Sequence, residues 1–300
     1  MTQNLQINLY KQNNPIAGTI VESKRITGER HGLDNDVRHI VIRYKDPYPY
    51  VPGQSAGIVP PGISPKTGKP NILRLYSVAS ERRGDLGDGQ TFSLCVVRHF
   101  FDNPTTNEKH VPGVCSNYLC DLKVGDQVKI TGPAGKHFVL PEDFKNRDII
   151  FTATGTGIAP YRGMLKEMFD GGFAGRVWLY LGVPYNDTIL YDNEFKAWQA
   201  KYKNFFYVTA ISREGEANPI PELVPTRQNK MYVQVRMYQD REKLRDVFKK
   251  PDSLLYLCGL KGMEDGIFPI VDKIGQEIGH TDGSFAEFLK KQNRCLVEVY

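Results

Sequence analysis

The hydrophobic pattern changes character near residue 147, and this change is the strongest limit on what the chain can fold into. Before it, short apolar and β-branched runs are separated by Gly-, Pro- and Asp-rich turns, a pattern typical of an antiparallel barrel or sandwich. After it, apolar strands alternate with helical stretches, which predicts a doubly wound parallel sheet. We therefore expect an antiparallel β-barrel domain over residues 1–143 and an α/β domain over residues 144–300.

The segments behind this division follow from the apolar runs and the turn residues between them. In the first half, strands are predicted at 37–44, 53–59, 73–79, 92–98 and 127–130, with a short helix starting near Ser116. In the second half, strands are predicted at 148–153, 177–181, 205–210 and 254–257, with helices ending near 169 and spanning 192–202, 240–248 and 262–278. The stretch 214–229, which contains three prolines, is predicted to be a long loop.

Composition narrows the classes of function. The net charge of +5 is modest and fits phosphorylated ligands or an acidic partner, and no basic run interleaved with aromatics points to nucleic acid. The five cysteines have no metal-ligand spacing, so we expect free thiols, no metal site and a reducing compartment. No apolar run has the length of a membrane span, and the polar start lacks an apolar signal core, so we expect a cytoplasmic protein without an integral membrane segment.

The segment 154–160 (TGTGIAP) follows a predicted buried strand and opens a helix. Glycines there allow close approach of a ligand to the backbone, and the helix start offers unpaired N–H groups, as a pyrophosphate requires. Pro160 costs little at the first helical turn. On this motif alone, a tight turn that binds nothing is an equally good interpretation.

Polar residues follow the other predicted strands of the second half. Ser212 and Arg213 stand at the carboxyl end of a strand, where a hydroxyl and a guanidinium suit a phosphate monoester such as the 2′-phosphate of NADP. Lys230, Tyr232 and Gln234 alternate and are expected to share one face of an extended segment. The alternative is a solvated Arg beside a strand with a mixed face. Cys258 ends another strand, and on its own it is more often a small buried residue than a catalytic one.

The first half carries a comparable arrangement. Arg74 and Tyr76 fall on one face of a strand, which places a cation for phosphate beside a ring for a flat ligand. The segment 113–119 (GVCSNYL) is interpreted as a loop entering a helix, a second phosphate site.

Together and in this order, these motifs resemble the plant-type ferredoxin–NADP reductases of the cyanobacterial and plastid branch. The similarity covers nearly the whole chain and ends in a terminal aromatic residue. It is carried by residues 74–77 (RLYS), 93–96 (SLCV), 113–116 (GVCS), 132–133 (GP), 153–160 (ATGTGIAP), 210–214 (AISRE), 231–232 (MY), 256–260 (YLCGL) and 297–300 (VEVY).

The resemblance implies a Greek-key β-barrel that holds FAD, followed by an α/β domain that binds NADP(H). The residues implied for FAD are Arg74, Leu75, Tyr76, Ser77, Cys95, Val96, Phe101, Gly113, Val114, Cys115, Ser116, Asn117 and Tyr300. Those implied for NADP(H) are Thr156, Gly157, Ile158, Pro160, Ser212, Arg213, Lys230, Tyr232, Gln234, Gly259 and Leu260. The hairpin 100–112, with Phe101 under the adenine, favours FAD over FMN.

The implied chemistry is hydride transfer between nicotinamide C4 and flavin N5. Ser77, Cys258, Glu298 and Tyr300 are the implied catalytic residues. Ser77 would hydrogen-bond the flavin, Glu298 would relay a proton, and Tyr300 would occupy the nicotinamide place until dinucleotide arrives. Without the resemblance, Glu298 would be interpreted as an exposed carboxylate.

Several positions depart from the family pattern. Val97 stands where the family usually has Lys or Arg for the pyrophosphate, and Arg98 follows on the opposite face. Lys230 stands where the family commonly has Arg, and Lys lacks the planar fork of Arg. Ile72 and His137 replace polar or charged residues that contact the electron partner.

The implied partner is an acidic one-electron carrier, ferredoxin or flavodoxin, and the oligomeric state is open and compatible with a monomer. Ile72 and His137 keep a second hypothesis, the NADPH-dependent reductase component of a dedicated oxygenase or another redox system. A third hypothesis, a flavin-bound NADPH sensor without turnover, conflicts with the intact catalytic set. The resemblance allows either a bacterial cytoplasm or, for a processed chain, the plastid stroma.

Overall fold

The computed structural model describes residues 5–64, 67–104 and 106–300. The chain divides into two compact units, one comprising Met1–Pro141 with Ala159–Asp170 and the other comprising Glu142–Ile158 with Gly171–Tyr300. The helix after the glycine-rich turn thus groups with the first unit. The domain limits of 1–143 and 144–300 stay a prediction.

The first unit is built on antiparallel strands. Their bounds are β1 Ile16–Arg25, β2 Val37–Tyr44, β3 Ser55–Val59, β4 Arg74–Ser77, β5 Thr91–Val97, β6 Phe100–Phe101, β7 Val111–Pro112 and β8 Gln127–Ala134. Six strands pair in the order β4-β3-β8-β1-β2-β5, and β6 pairs with β7. A bridge between Val78 and Leu94 links the two outer strands. The predicted antiparallel barrel is confirmed.

The core of the barrel follows from the strand period. Ile40 and Ile42 of β2, Ile20 of β1 and Ile58 of β3 are completely buried. Burial of such a side chain stabilises the fold by roughly 1.5–3 kcal/mol. The strand β2 has the bounds that its β-branched run predicts.

The longest strand of the barrel, β1, has no counterpart among the predicted segments. The last four residues of β1 (ESKR) are polar, and Gly18 interrupts its apolar positions. A Cβ at Gly18 would lie 2.4 Å from the Ile130 side chain of β8. The glycine that weakens the strand signal therefore allows the neighbouring strand to pack.

Two helices belong to the first unit, α1 Val114–Asp121 and α2 Ala159–Asp170. Arg162 of α2 donates to Asp85 at 2.8 Å and to the carbonyl oxygen of Ala79 at 2.9 Å. A Cβ at Gly163 would lie 2.4 Å from the carbonyl oxygen of Ser80. A partly buried ion pair and a close backbone approach thus hold α2 against the barrel.

The second unit is a parallel sheet with helices. Its strands are β9 Ile149–Thr154, β10 Val177–Val183, β11 Phe205–Ile211, β12 Leu254–Gly259 and β13 Cys295–Val299. They pair in parallel in the order β11-β10-β9-β12-β13. The helices are α3 Asp192–Lys201, α4 Val233–Gln239, α5 Arg241–Phe248, α6 Met263–Glu277 and α7 Phe285–Lys291. The predicted parallel α/β architecture is confirmed.

One face of this sheet forms a large core with α4 to α7. Trp178 and Tyr180 of β10 and Leu255 and Leu257 of β12 point into it at the strand period of two. Among the described residues, no helix has the length and apolar character needed to cross a bilayer.

Candidate functional site

The predicted site residues of the second unit collect at one edge of the parallel sheet. All five strands run in the same direction, so the loops that follow them lie at the carboxyl edge, where open sheets of this kind bind ligands. The loops carry Thr156, Ser212, Arg213, Leu260 and Tyr300. The topology therefore brings together segments that are up to 144 residues apart.

The glycine-rich segment forms one turn of 3-10 helix, Gly155–Ile158, between β9 and α2. A Cβ at Gly157 would lie 2.1 Å from the carbonyl oxygen of Cys258, and one at Gly259 would lie 2.1 Å from Thr154 Oγ1. Only glycine permits this packing of the turn against the end of β12. A backbone held so at a helix start suits a phosphate ligand.

The Tyr300 side chain lies against this turn. Its hydroxyl is 2.6 Å from Thr156 Oγ1. The Tyr300 amide donates to the carbonyl oxygen of Gly259 at 3.0 Å, and its own carbonyl accepts from the Lys261 amide at 3.0 Å. The side chain is nevertheless 57% exposed. The backbone is held while much of the ring faces solvent.

Cys258 and Glu298 are register partners on the adjacent strands β12 and β13. Cys258 is buried, and burial followed by the nearby Glu298 carboxylate raises the pKa of its thiol far above the ordinary range. Burial also raises the pKa of Glu298, and Glu298 Oε2 has no hydrogen-bond partner among the described residues. Cys258 is therefore a neutral thiol near pH 7, beside a carboxyl group whose pKa burial raises above its ordinary value.

Ser212 and Arg213 follow β11 and are tied to the end of β10. The Ser212 amide donates to the carbonyl oxygen of Val183 at 3.0 Å, and the Arg213 amide donates to that of Pro184 at 2.9 Å. The Arg213 guanidinium lies over the Tyr185 ring at 5.4 Å and donates to the Tyr185 hydroxyl at 3.0 Å. An exposed cation thus stands at the carboxyl edge of the sheet.

The expectation that one extended segment holds Lys230, Tyr232 and Gln234 is wrong, because the segment is extended only up to Tyr232. Lys230 and Tyr232 have extended backbones, but Tyr232 is the N-cap of α4, which contains Gln234. The Gln234 amide packs against α6, where a Cβ at Gly266 would lie 2.6 Å from its Nε2. Apolar residues at every second position are typical of a strand, yet Val233, Val235 and Met237 lie on a helix and are buried in the core between the sheet and the helices α4 to α7.

On the barrel, Arg74 and Tyr76 lie on the same side of β4, next to the start of α1. Burial and then the Cys115 thiol raise the pKa of Tyr76 far above its ordinary value. The pKa of Cys115 is raised by burial and lowered, to a lesser degree, by Tyr76 and Arg74. Arg74 itself is exposed and donates to the carbonyl oxygen of Leu73 at 3.2 Å. The predicted cation, ring and helix start are neighbours.

The start of α1 is uncapped. Gly113 provides no side chain to bond the first amides, and no acidic residue lies in the first turn. Asn117 Nδ2 donates at 2.9 Å to the carbonyl oxygens of both His99 and Gly113, and Ser116 Oγ accepts from the His99 amide at 3.3 Å. The helix start is held rigidly and suits an anion.

The predicted hairpin is present as β6 and β7, and it borders a concavity of about 300 Å³. Phe101 is 43% exposed and stacks on His99 with ring centres 6.5 Å apart. Phe100 stacks on His110 at 4.0 Å, and His110 Nε2 is 2.5 Å from Asp34 Oδ1. This gives an open aromatic wall of the kind on which a base stacks.

The remaining predicted residues of the barrel lie on its strands. Leu75 and Ser77 belong to β4, and Leu75 is 56% exposed. Cys95 and Val96 are buried in β5, so a ligand could reach only their backbone. Val114 is 56% exposed at the start of α1. Leu75 and Val114 therefore give the barrel exposed apolar surface near β4 and the start of α1.

Comparisons with known proteins agree on one family. The cyanelle ferredoxin–NADP reductase of Cyanophora paradoxa is 43% identical over 302 residues, 99% of this chain and 79% of that protein. The chloroplastic leaf isozyme 1 of Arabidopsis thaliana is 42% identical, covering 99% of this chain and 81% of its own. The chain belongs to the ferredoxin–NADP reductase family. The model of the oxidoreductase NAD-binding domain matches residues 151–268.

Solved structures of the ferredoxin–NADP reductase family give the same result. The Plasmodium falciparum ferredoxin–NADP+ reductase with 2′P-AMP has a TM-score of 0.75 at 28% identity, covering 99% of this chain and 100% of that chain. A second structure of the Plasmodium falciparum enzyme has a TM-score of 0.73 at 30% identity, with coverage of 98% and 100%.

Arg98 follows Val97, the position where the family usually has Lys or Arg. Its side chain forms ion pairs within the barrel. Its Nε lies 3.1 Å from Asp36 Oδ2, and its Nη2 lies 2.8 Å from Asp121 Oδ1. The Asp36 side chain is only 1% exposed, so loss of Arg98 would leave a buried carboxylate with less compensation. The geometry favours a structural role for Arg98.

Sequence reasoning missed Tyr185, His99 and Asp34. Tyr185 follows the end of β10, as Ser212 follows the end of β11, so the strand-end rule could have found it. The predicted strand ended at residue 181, two residues early. His99 and Asp34 carry no such signal, because their partners Asn117 and His110 reach them only when the barrel folds.

Both places fit the cofactors of the ferredoxin–NADP reductase family. On the barrel, the uncapped helix start beside Arg74 suits a pyrophosphate, and the exposed Leu75, Val114 and Phe101 suit flat rings. At the sheet edge, the close packing of Gly157 on Cys258 and of Gly259 on Thr154 keeps the turn free of side chains, which suits close approach of a pyrophosphate to the backbone.

Glu298 makes stability depend on pH. Its pKa is raised above the ordinary 4.5 in the folded state, so the folded state keeps the proton to higher pH than the unfolded state does. The free energy of unfolding therefore falls as pH rises from about 4.5 through the folded pKa. We expect Glu298→Gln to raise Tm at pH 8 relative to the parent and to lose this advantage at pH 4.

The measurement is thermal unfolding at both pH values, with the exposed Glu242→Gln as the matched control. An equal Tm change for the two variants at pH 8 would contradict the assignment of the raised pKa to Glu298.

Proposed function

We propose that this chain holds FAD on its barrel unit and NADP(H) at the carboxyl edge of its parallel sheet, and passes electrons between NADP(H) and a one-electron carrier. As a member of the ferredoxin–NADP reductase family it is an FAD-dependent oxidoreductase, and ferredoxin is its carrier. The observation that carries the proposal is the convergence of the Gly155–Ile158 turn and the exposed Arg213 at one sheet edge.

The FAD assignment rests on the first unit. Arg74 and the amides of Val114, Cys115 and Ser116 would hold the pyrophosphate, because a cation and an uncapped helix start both favour an anion. Asn117 keeps that helix start in place through His99. Tyr76 would pack on one face of the isoalloxazine, Leu75 and the backbone of Cys95 and Val96 would border the flavin, and Phe101 would stack on the adenine.

The NADP(H) assignment rests on the second unit. The turn with Thr156, Gly157 and Ile158, followed by Pro160, would hold the pyrophosphate. Ser212, Arg213 and Lys230 would bind the 2′-phosphate, and Tyr232 would stack on the adenine. Gly259 and Leu260 would border the nicotinamide half, with Gly259 kept free of a side chain by Thr154.

FAD, when bound, supplies a hydride acceptor or donor and converts a two-electron transfer into single-electron steps. Ser77 Oγ would offer a hydrogen bond to the flavin. Glu298 would hold a proton at its buried Oε2 and exchange it, since its raised pKa brings it towards the operating pH. Cys258, as a neutral thiol, would border the nicotinamide without competing as a nucleophile.

The relatives are named chloroplastic or cyanelle proteins. For this chain we infer either a plastid stroma or a bacterial cytoplasm as the location, and flavodoxin as a second acceptable carrier. Both carriers are acidic one-electron proteins that the net charge of +5 would attract.

The test is reconstitution of the purified chain with FAD. We expect a yellow protein that reduces ferricyanide with NADPH, and that reduces cytochrome c only when ferredoxin is added. Arg74→Ala should release FAD at least tenfold more readily, because a charge-assisted contact to phosphate is lost. Arg43→Ala is the control, since Arg43 lies on β2 and forms an ion pair with Asp88.

Cytochrome c reduction that ignores both ferredoxin and flavodoxin would instead favour a dedicated partner. A chain that binds no flavin would end the proposal.

A further inference from the structure

The Arg213 side chain has a defined resting place on Tyr185. The guanidinium carbon lies 5.4 Å from the ring centre, and Nη1 donates to the phenolic oxygen at 3.0 Å. Arg213 is exposed, and an exposed arginine normally samples many rotamers. The ring face and the hydroxyl together restrict it, because the cation is attracted to the ring while the hydroxyl fixes one edge of the guanidinium.

Tyr185 is itself held by its backbone. Its amide donates to Thr188 Oγ1 at 3.1 Å, and the Thr188 hydroxyl donates to the Tyr185 carbonyl oxygen at 2.8 Å. Thr188 is 5% exposed, so this anchor is buried. The ring therefore projects from a fixed point in the loop after β10.

The loop after β10 is also joined to the loop after β11. The Asn186 amide donates to Glu214 Oε2 at 3.0 Å, and the Arg213 amide donates to the Pro184 carbonyl oxygen at 2.9 Å. Two hydrogen bonds thus join the loops around the Arg213–Tyr185 contact. A contact between loops that are joined in this way is pre-organised before any ligand binds.

The contact leaves Arg213 able to bind an anion. A guanidinium has five N–H donors in a planar fork, and the contact with Tyr185 uses one Nη1 donor. The remaining donors include the other edge, which is the geometry that recognises a phosphate in a bidentate manner.

We propose that Tyr185 is a positioning residue that holds Arg213 for the 2′-phosphate and thereby sets the preference for NADP(H) over NAD(H). This inference rests on the proposed role of Arg213. Tyr185 need not touch the dinucleotide. It acts by reducing the entropy that Arg213 loses when the phosphate binds.

The test compares Tyr185→Ala and Tyr185→Phe in the FAD-loaded chain, with ferricyanide as acceptor. Tyr185→Ala should raise the KM for NADPH about tenfold and leave kcat and the NADH parameters unchanged, because only the phosphate contact loses pre-organisation. Tyr185→Phe, which keeps the ring and loses the hydroxyl, should give a smaller rise. Binding of 2′-phospho-AMP should weaken in parallel, while binding of 5′-AMP should not.

Tyr202 offers a matched control, since Lys201 lies 4.9 Å from its ring centre and it precedes β11 at the opposite edge of the sheet. Tyr202→Ala should leave the ratio of NADPH to NADH efficiency unchanged. Tm values of all variants separate misfolding from loss of specificity.

The double variant Arg213→Ala/Tyr185→Ala separates the inference from the proposed function. If Tyr185 acts through Arg213, the second substitution adds nothing to the first. An effect of Arg213→Ala with none of Tyr185→Ala, or equal losses for NADPH and NADH, would overturn the inference alone. No effect of Arg213→Ala on NADPH would overturn the proposed 2′-phosphate site and the inference together.

Discussion

Arg213→Ala is expected to weaken 2′-phospho-AMP binding by roughly 10- to 100-fold, the equivalent of losing about 1.5–3 kcal/mol from a charge-assisted hydrogen bond. Binding of 5′-AMP should change less than twofold. Arg213 is exposed at the carboxyl edge of the sheet, so its removal takes away a cation without opening a cavity. The KM for NADPH should rise in proportion, and that for NADH should stay constant.

Isothermal titration with the two nucleotides measures the effect directly. Arg245→Ala is the control, because Arg245 is a partly exposed arginine of α5 that pairs with Glu277 at 3.3 Å and lies away from the carboxyl edge of the sheet. If Arg213→Ala and Arg245→Ala gave the same affinities, the 2′-phosphate would have to bind elsewhere.

Tyr300→Ser is expected to tighten binding of both dinucleotides and to narrow the preference for NADP(H) over NAD(H). The Tyr300 hydroxyl is hydrogen-bonded to Thr156 in the Gly155–Ile158 turn. A nicotinamide that needs the position of the Tyr300 ring must therefore first displace that ring. A ligand that binds only the displaced state has its affinity reduced by the fraction of that state, and removal of the ring removes the reduction. The KM for NADH should fall by roughly tenfold or more.

Tyr300→Phe separates the contribution of the ring from that of the hydroxyl group. It keeps the ring and loses the 2.6 Å hydrogen bond to Thr156, so it should fall between the parent and Tyr300→Ser. Steady-state kinetics with NADPH and NADH, with Tyr202→Ser as the control, provide the measurement. If the parent and Tyr300→Ser showed the same ratio of NADPH to NADH efficiency, the displacement hypothesis would fail.

The two predictions concern the two ends of one bound dinucleotide. Arg213 is expected to distinguish NADP(H) from NAD(H) directly, through a charge that only the 2′-phosphate can use. Tyr300 is expected to affect the same ratio indirectly, because NADPH can bind through its 2′-phosphate while the ring stays in place, whereas NADH depends on the nicotinamide place. A variant with both changes should therefore show a smaller preference for NADPH over NADH than either single variant.

Elements with a strong local pattern could be predicted from the sequence. The β-branched run of β2 has its predicted bounds, and the buried strands β9 to β12 were placed within two residues. The elements that were missed are stabilised by distant partners. The strand β1 contains the glycine that its neighbour requires, and β13 becomes a strand because it pairs with β12.

The site shows the same division. Motif spacing was enough to select Arg74, Arg213 and the glycine-rich turn, because phosphate binding demands a cation or free amides at a helix start. Spacing could not reveal that Arg98 neutralises the buried Asp36, that Gln234 packs against Gly266, or that Tyr185 supports Arg213. Each of these pairs spans 28 residues or more of chain, and its members meet only in the folded units.

The residues alone thus determined which halves become barrel and parallel sheet, and which segments are candidates for binding phosphate, since both depend on local periodicity and on glycine, proline and charge at particular offsets. Only the tertiary structure decided which cationic side chains form ion pairs within the fold and which stay exposed for a ligand. The reason is that burial and ion pairing are set by whichever side chains arrive from elsewhere in the chain, and strand pairing rather than sequence order chooses those neighbours.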